Sequence, residues 1–186
     1  MKRIQNKYDL VVVGGGHAGI EASLIAHKRG IKTILVSMDK NSVGRTSCNP
    51  AVGGLAKGQM VKEVDVLGGI MGVFADLSTL QSKTLNKSKG RSVWSPRSQI
   101  DKNLYEKIAQ EYIKEQSLNV LEGEVVSLDI KNSSVSGVFL KDGSKIVCSS
   151  VILTCGTFLN GLIHIGSKQI NAGRYGEKGA EGITEN

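Results

Sequence analysis

The chain has 186 residues, 40% of them hydrophobic and 22% charged, with 23 glycines and only 2 prolines, which reads as one soluble globular core. Lys plus Arg outnumber Asp plus Glu by 24 to 17, a net +7 that suits an anionic partner without naming one. Cys48, Cys148 and Cys155 are odd in number and lack paired or metal-ligand spacing, which excludes a disulfide framework and a zinc site; no stretch approaches the ~18 apolar residues of a membrane span or forms a signal-peptide core. The expectation is a reducing, cytoplasmic setting with no metal.

The first element organises the rest. Leu10 to Val13 are four apolar residues in a row, the pattern of a buried parallel strand, and Gly14-x-Gly16-x-x-Gly19 follows at once. The glycines open a helix from about Ala18 to Arg29, closed by Lys28, Arg29 and Gly30. A strand, a glycine turn and a helix N-terminus in this order form a dinucleotide cradle. Gly14 permits the turn, Gly16 admits a pyrophosphate, and Gly19 lets helix and strand pack closely. His17, inside the turn, either touches the cofactor or is satisfied by the turn itself.

A second strand, Lys32 to Ser37, completes the unit. The carboxylate that usually ends it to hold a ribose is replaced here by Ser37, with Asp39 two residues on. A polar, glycine-rich loop from Asn41 to Gly58 follows. In it Cys48 is either a nucleophile, activated by Arg45, Lys57 and the next helix, or an inert small residue in a tight turn. Met60, Val64 and Leu67 then recur at helical spacing and predict an apolar face, stopped by Gly68 and Gly69.

Periodicity weakens from Ile70 to Arg97. It predicts a loose helix end, a short strand near Thr79 to Leu85, and a basic loop over about 86–97. Lys83, Lys87, Lys89, Arg91, Arg97 and Lys102 make this segment either a solvated surface or a nucleic-acid contact, and Trp94 either stacks on a base or covers the core edge. Ser98-Gln-Ile-Asp101 reads as a capping box opening a helix to about Gln116, with Tyr105, Ile108, Ala109 and Tyr112 on one face.

After a short strand at Asn119 to Leu121, three alternating segments predict an antiparallel meander over about 125–148, its second turn marked by Asp142-Gly143. Val151 to Thr154 is a further buried parallel strand leading into Cys155-Gly156-Thr157. A second glycine turn after a strand, a meander and another strand favours a flavin over a nicotinamide alone. His164 alternates with apolar residues and reads as structural. The fold expected is α/β: a Rossmann-like FAD-binding domain with a mostly parallel sheet and an inserted antiparallel meander, over residues 1–186.

Several segments go beyond what spacing can say. Gly14-Gly-Gly-His-Ala-Gly19, Ser47-Cys-Asn-Pro-Ala-Val-Gly-Gly54, Val61-Lys-Glu-Val-Asp65, Ser88-Lys-Gly90 and Gly156-Thr-Phe-Leu-Asn-Gly161 strongly resemble one family, glucose-inhibited division protein A, the FAD-binding tRNA uridine 5-carboxymethylaminomethyl modification enzymes. The resemblance spans essentially the whole chain and corresponds to the N-terminal portion of longer proteins. It implies a flavoenzyme that, with a GTPase partner, builds carboxymethylaminomethyl onto carbon 5 of a wobble uridine in tRNA. Glycine and a methylene-folate are the implied co-substrates, NADH the reductant, and a homodimer the state of the full-length family.

Carried over by position, the resemblance assigns Gly14, Gly15, Gly16, His17, Ala18 and Gly19 to the pyrophosphate, Val125 to the adenosine side and Ala180 to the cofactor's vicinity. Cys48 matches a cysteine considered for the uracil chemistry, where thiolate addition at carbon 6 makes carbon 5 nucleophilic. Gly156 and Ser37 remain as cofactor contacts from the residue pattern. The family has Gly-Pro-Ala-Val and then a basic residue where this chain has Gly90-Arg-Ser-Val93 and Trp94. The strand that closes the family's FAD domain is not matched, so the isolated chain is expected not to retain flavin through purification and to be inactive alone. Two alternatives stay open: a flavin-dependent oxidoreductase of small molecules or thiols, and a noncatalytic tRNA-binding fragment.

Overall fold

The computed structural model describes residues 3–46, 50–173, 176 and 179–183. In chain order the elements are β1 (Arg3–Val13), α1 (His17–Lys28), β2 (Thr33–Ser37), β3 (Ala51–Gly53), α2 (Lys57–Val66), α3 (Met71–Leu77), β4 (Thr79–Leu85), β5 (Ser95–Ile100), α4 (Lys102–Glu115), β6 (Asn119–Glu122), β7 (Val125–Lys131), β8 (Ser134–Leu140), β9 (Lys145–Leu153), β10 (Leu162–Ile165) and β11 (Lys168–Asn171). They divide into two compact units, one of residues 1–41 with 118–186 and the other of residues 42–117.

The first unit holds a six-stranded sheet in the order β6-β2-β1-β9-β8-β7. The strands β6, β2, β1 and β9 are parallel, and β8 and β7 continue antiparallel. The expected parallel sheet and meander are both present. The sequence suggests separate strands at Lys145–Cys148 and Val151–Thr154, but β9 is one continuous strand that serves both. Its first residues pair with β8 while its whole length runs beside β1.

That shared strand forces the sheet to fold over. Its two edge strands, β6 and β7, are joined by only Gly123 and Glu124, a span of at most about 11 Å from Glu122 to Val125. The edges of a flat six-stranded sheet would lie roughly 24 Å apart. The meander therefore curls onto one face of the parallel strands. The core shows the result: Val11, Val13, Ile34 and Val36 pack in one cluster with Val125, Val138, Leu140, Ile146 and Cys148. Because side chains alternate along a strand, Val12 and Leu35, both fully buried, face the other way. On that side α1 buries Ile20 and Leu24. Strands covered on both faces explain the unbroken apolar run from Leu10 to Val13.

The second unit is a three-stranded antiparallel sheet, β3-β5-β4, with three helices. Its core is aromatic: Phe74 meets the rings of Tyr105 and Tyr112 edge-on, with centroids 5.9 and 5.4 Å away. The strand expected near Thr79 to Leu85 is β4. Two other readings are corrected. Ser98 lies within β5, and the N-cap of α4 is Asp101, whose Oδ1 accepts from the Asn103 and Leu104 N–H groups. A carboxylate satisfies two orphan donors there, so the helix begins three residues later than the capping-box pattern suggests. The predicted apolar face of α2 is not core either: Met60 and Leu67 are 64% and 80% exposed. The helix approaches β5 through Gly58 instead, where a Cβ would stand 2.7 Å from the Pro96 carbonyl oxygen.

Candidate functional site

The site is built at the carboxyl ends of β1, β2 and β9. Gly14 follows β1 with φ +110, and its N–H donates to the Val36 carbonyl at 2.8 Å. A Cβ on Gly14 would lie 2.4 Å from the Thr154 carbonyl oxygen, and one on Gly19 would lie 1.8 Å from the Gly14 carbonyl oxygen. Only glycine fits either place. Thr154 locks the arrangement: its N–H and its Oγ1 both reach the Val13 carbonyl at 2.8 Å, and Oγ1 lies 3.0 Å from the Gly14 carbonyl.

Gly16 is different. It is the N-cap of α1, with φ −74 and ψ −176, and a Cβ there would meet nothing within 4 Å. As N-cap, Gly16 brings no side-chain hydrogen bond to this end of α1, and no acidic residue stands in its first turn. The positive end of the helix dipole thus opens onto space that Gly16 keeps clear, which is the form a diphosphate requires. Gly15 lies between the two, and Ala18 is exposed on the first turn. Burial holds the His17 imidazole below its ordinary pKa of 6.5, so the ring is neutral at pH 7 and adds no cation to the cradle.

Around the cradle the other predicted residues take distinct places. Ser37 ends β2, buried, and its Oγ donates to the Asp39 carbonyl at 2.9 Å, while Asp39 accepts from the Asn41 N–H. The side chain of Val125 belongs to the core, and its backbone stands in register with Leu140 at the start of β7. Gly156 adopts φ +67 in a single 3-10 turn after β9, with open space where a Cβ would be. Ala180 bridges to Leu159, and its carbonyl accepts from the Asn160 N–H at 2.8 Å. Cys48 lies outside the described residues. Of the cations invoked to activate it, Arg45 is engaged, with Nε 3.5 Å from Glu106 Oε1.

Sequence reasoning missed two participants. Glu122 is register partner to Ser37 at the carboxyl edge, and its Oε2 accepts from the Lys40 N–H at 3.2 Å. A carboxylate therefore does stand at this edge, supplied by β6 rather than β2; its signal is a lone acid ending the run Asn119 to Leu121. Thr154 carries no signal of its own until β9 is seen to lie beside β1. Among the described residues no group of three or more His, Cys, Asp or Glu is arranged to hold a metal ion, and no helix is long and apolar enough to cross a membrane.

A family model described as glucose inhibited division protein A matches residues 9–186. The chain belongs to the glucose-inhibited division protein A family. It is 46% identical over 178 residues to the tRNA uridine 5-carboxymethylaminomethyl modification enzyme of Endomicrobium trichonymphae, covering 95% of this chain and 30% of that protein. The crystal structure of GidA from Aquifex aeolicus superposes with a TM-score of 0.92 at 44% identity, over 98% of this chain and 30% of that one. At 20% identity and a TM-score of 0.53, the glycerol-3-phosphate dehydrogenase of Bacillus halodurans, solved with FAD, shares the fold over 80% of this chain and 34% of its own. The chain spans about 30% of the length of the GidA relatives it matches.

Proposed function

We propose that this chain is the FAD-binding portion of a tRNA-modifying flavoenzyme that installs carboxymethylaminomethyl on carbon 5 of a wobble uridine. The observation that carries the reading is the cradle: two glycines jammed against backbone, a third facing open space, and a glycine-capped helix N-terminus aimed there. The residues present fit a dinucleotide. Backbone N–H groups of the α1 first turn would bind the pyrophosphate, and Ser37 with Glu122 would meet the adenosine ribose at the carboxyl edge. The backbone at Val125 and the turns at Gly156 and Ala180 would line the rest. When bound, FAD supplies reversible hydride transfer, with NADH as the reductant that the family resemblance implies.

The remaining work falls to the protein. Cys48 is assigned to the uracil, where thiolate addition at carbon 6 leaves carbon 5 able to attack an electrophilic methylene derived from folate, with glycine as amine, and loss of the carbon-5 proton then expels the thiolate and restores the ring. The GTPase partner, the homodimer and the cytoplasmic setting belong to the same reading. A thiol-disulfide oxidoreductase is less well supported, because burial pushes the thiols of Cys148 and Cys155 up in pKa and keeps them protonated.

Two measurements test the proposal. FAD titrated into the chain should show a saturable quench of flavin fluorescence that Gly16→Val removes; absence of saturation overturns the cofactor assignment. Disruption of the gene in its host should strip carboxymethylaminomethyluridine from total tRNA, and an unchanged nucleoside profile overturns the reaction.

A further inference from the structure

We infer that the β4–β5 hairpin is an RNA-gripping arm, in which Lys83, Lys87, Lys89, Arg91 and Arg97 contact phosphates and Trp94 stacks on an unpaired base. The inference deepens the proposed function, from which it takes the substrate RNA. From Leu77 to Ile100 the chain carries five cations and no acidic residue. Lys83 and Arg97 sit opposite each other in register, and the remaining three lie on the two 3-10 turns, Lys87–Lys89 and Arg91–Val93, that join the strands. Lys83, Lys87, Lys89 and Arg91 are exposed, and among the described residues none of the five cations takes part in a salt bridge. Beyond the Lys83–Arg97 rung the strands run two more residues, to Leu85 and Ser95, roughly 7 Å, before the turns that carry the other three cations, so the charges form a stripe rather than a point. A stripe of unbalanced cations matches a polyphosphate backbone.

The tryptophan turns that stripe toward RNA with unpaired bases. Trp94 donates its Nε1–H to the Lys87 carbonyl at 3.2 Å, and the Arg91 guanidinium stands over its ring, 5.8 Å from the centroid. The indole is thereby fixed against the turns while 40% of it stays exposed. A membrane-inserting tryptophan would lead from the loop tip with its ring free. This one is held by its Nε1–H and backed by a guanidinium, as a stacking platform is.

Trp94 is the only tryptophan, so its fluorescence reports directly on its own stacking. The chain is titrated with an anticodon stem-loop RNA and, separately, with a fully paired RNA of equal length. The stem-loop should quench the indole and the duplex should not. Trp94→Ala should weaken stem-loop binding by roughly 5- to 150-fold and leave the salt dependence unchanged, while Trp94→Phe retains most of the affinity. Lys87→Ala with Lys89→Ala should weaken both RNAs and lower the log–log salt slope by roughly 1.4. Equal effects of Trp94→Ala on both RNAs, an unquenched indole, or an unchanged slope overturns the inference. So does binding to phosphatidylserine vesicles without saturable RNA binding. FAD titration of the same variants separates the two readings: normal flavin binding with no hairpin effect on RNA sinks only the arm, and RNA gripping without any flavin binding sinks only the flavoenzyme.

Discussion

Gly16 and Gly19 stand three positions apart in one motif yet do opposite things. A methyl on Gly19 collides with the Gly14 carbonyl at 1.8 Å, and backbone cannot rotate away. Gly19→Ala should therefore cost about 1–3 kcal/mol or more, read as a lowered urea midpoint. A methyl on Gly16 meets nothing within 4 Å at an ordinary φ, so Gly16→Ala should stay within about 1 kcal/mol of the parent in urea while weakening FAD. Equal loss of stability in both variants would refute the division of labour. His17 carries a pH signature. Its folded pKa lies below 6.5, so the unfolded chain binds the extra proton and stability falls as pH drops below that value; His17→Gln should flatten that part of the pH–stability curve.

At the scale of elements, the start of α4 shows where local sequence misleads. Ser98 and Asp101 compete for the cap, and the pattern of serine followed by an acid three residues later favours Ser98. Pairing with both β3 and β4 draws Ser98 into the central strand, leaving Asp101 to take the donors. Asp101→Ala should cost about 0.5–2 kcal/mol and Ser98→Ala less than about 0.5, by thermal or urea unfolding. Similarly, α2 was legible as a helix but its packing was not. Periodicity reports an apolar face without saying whether anything covers it, and the actual contact is made by Gly58, which a hydrophobic pattern ignores. Leu67→Lys, at an 80% exposed site, should shift stability by less than about 0.5 kcal/mol.

At the scale of the molecule, the first unit was largely readable because its signals are local: an apolar strand into spaced glycines, and alternation with Asp142-Gly143 for the meander. The sharing of β9 was not readable. Ser149 and Ser150 interrupt the apolar pattern and look like a break, whereas they are exposed positions on one unbroken strand. Glu122 and Thr154 escaped for the same reason, since each gains its role from a neighbour far along the chain. A shared strand also predicts shared fate. Ile146 is fully buried, and Ile146→Val should cost about 0.5–1.5 kcal/mol. Hydrogen exchange should then quicken together in β1–β2 and β7–β8; quickening confined to the meander would show two independent halves.

The brace that Thr154 places across the glycine turn ties residues 141 and 140 positions apart. A ribosome delivers the turn early and its brace 140 residues later, so until then the nascent chain carries a loose loop with one flank of β1 bare. Flavin capture must wait until β9 has emerged, and a translational stall before that point leaves an exposed apolar strand for chaperones to guard.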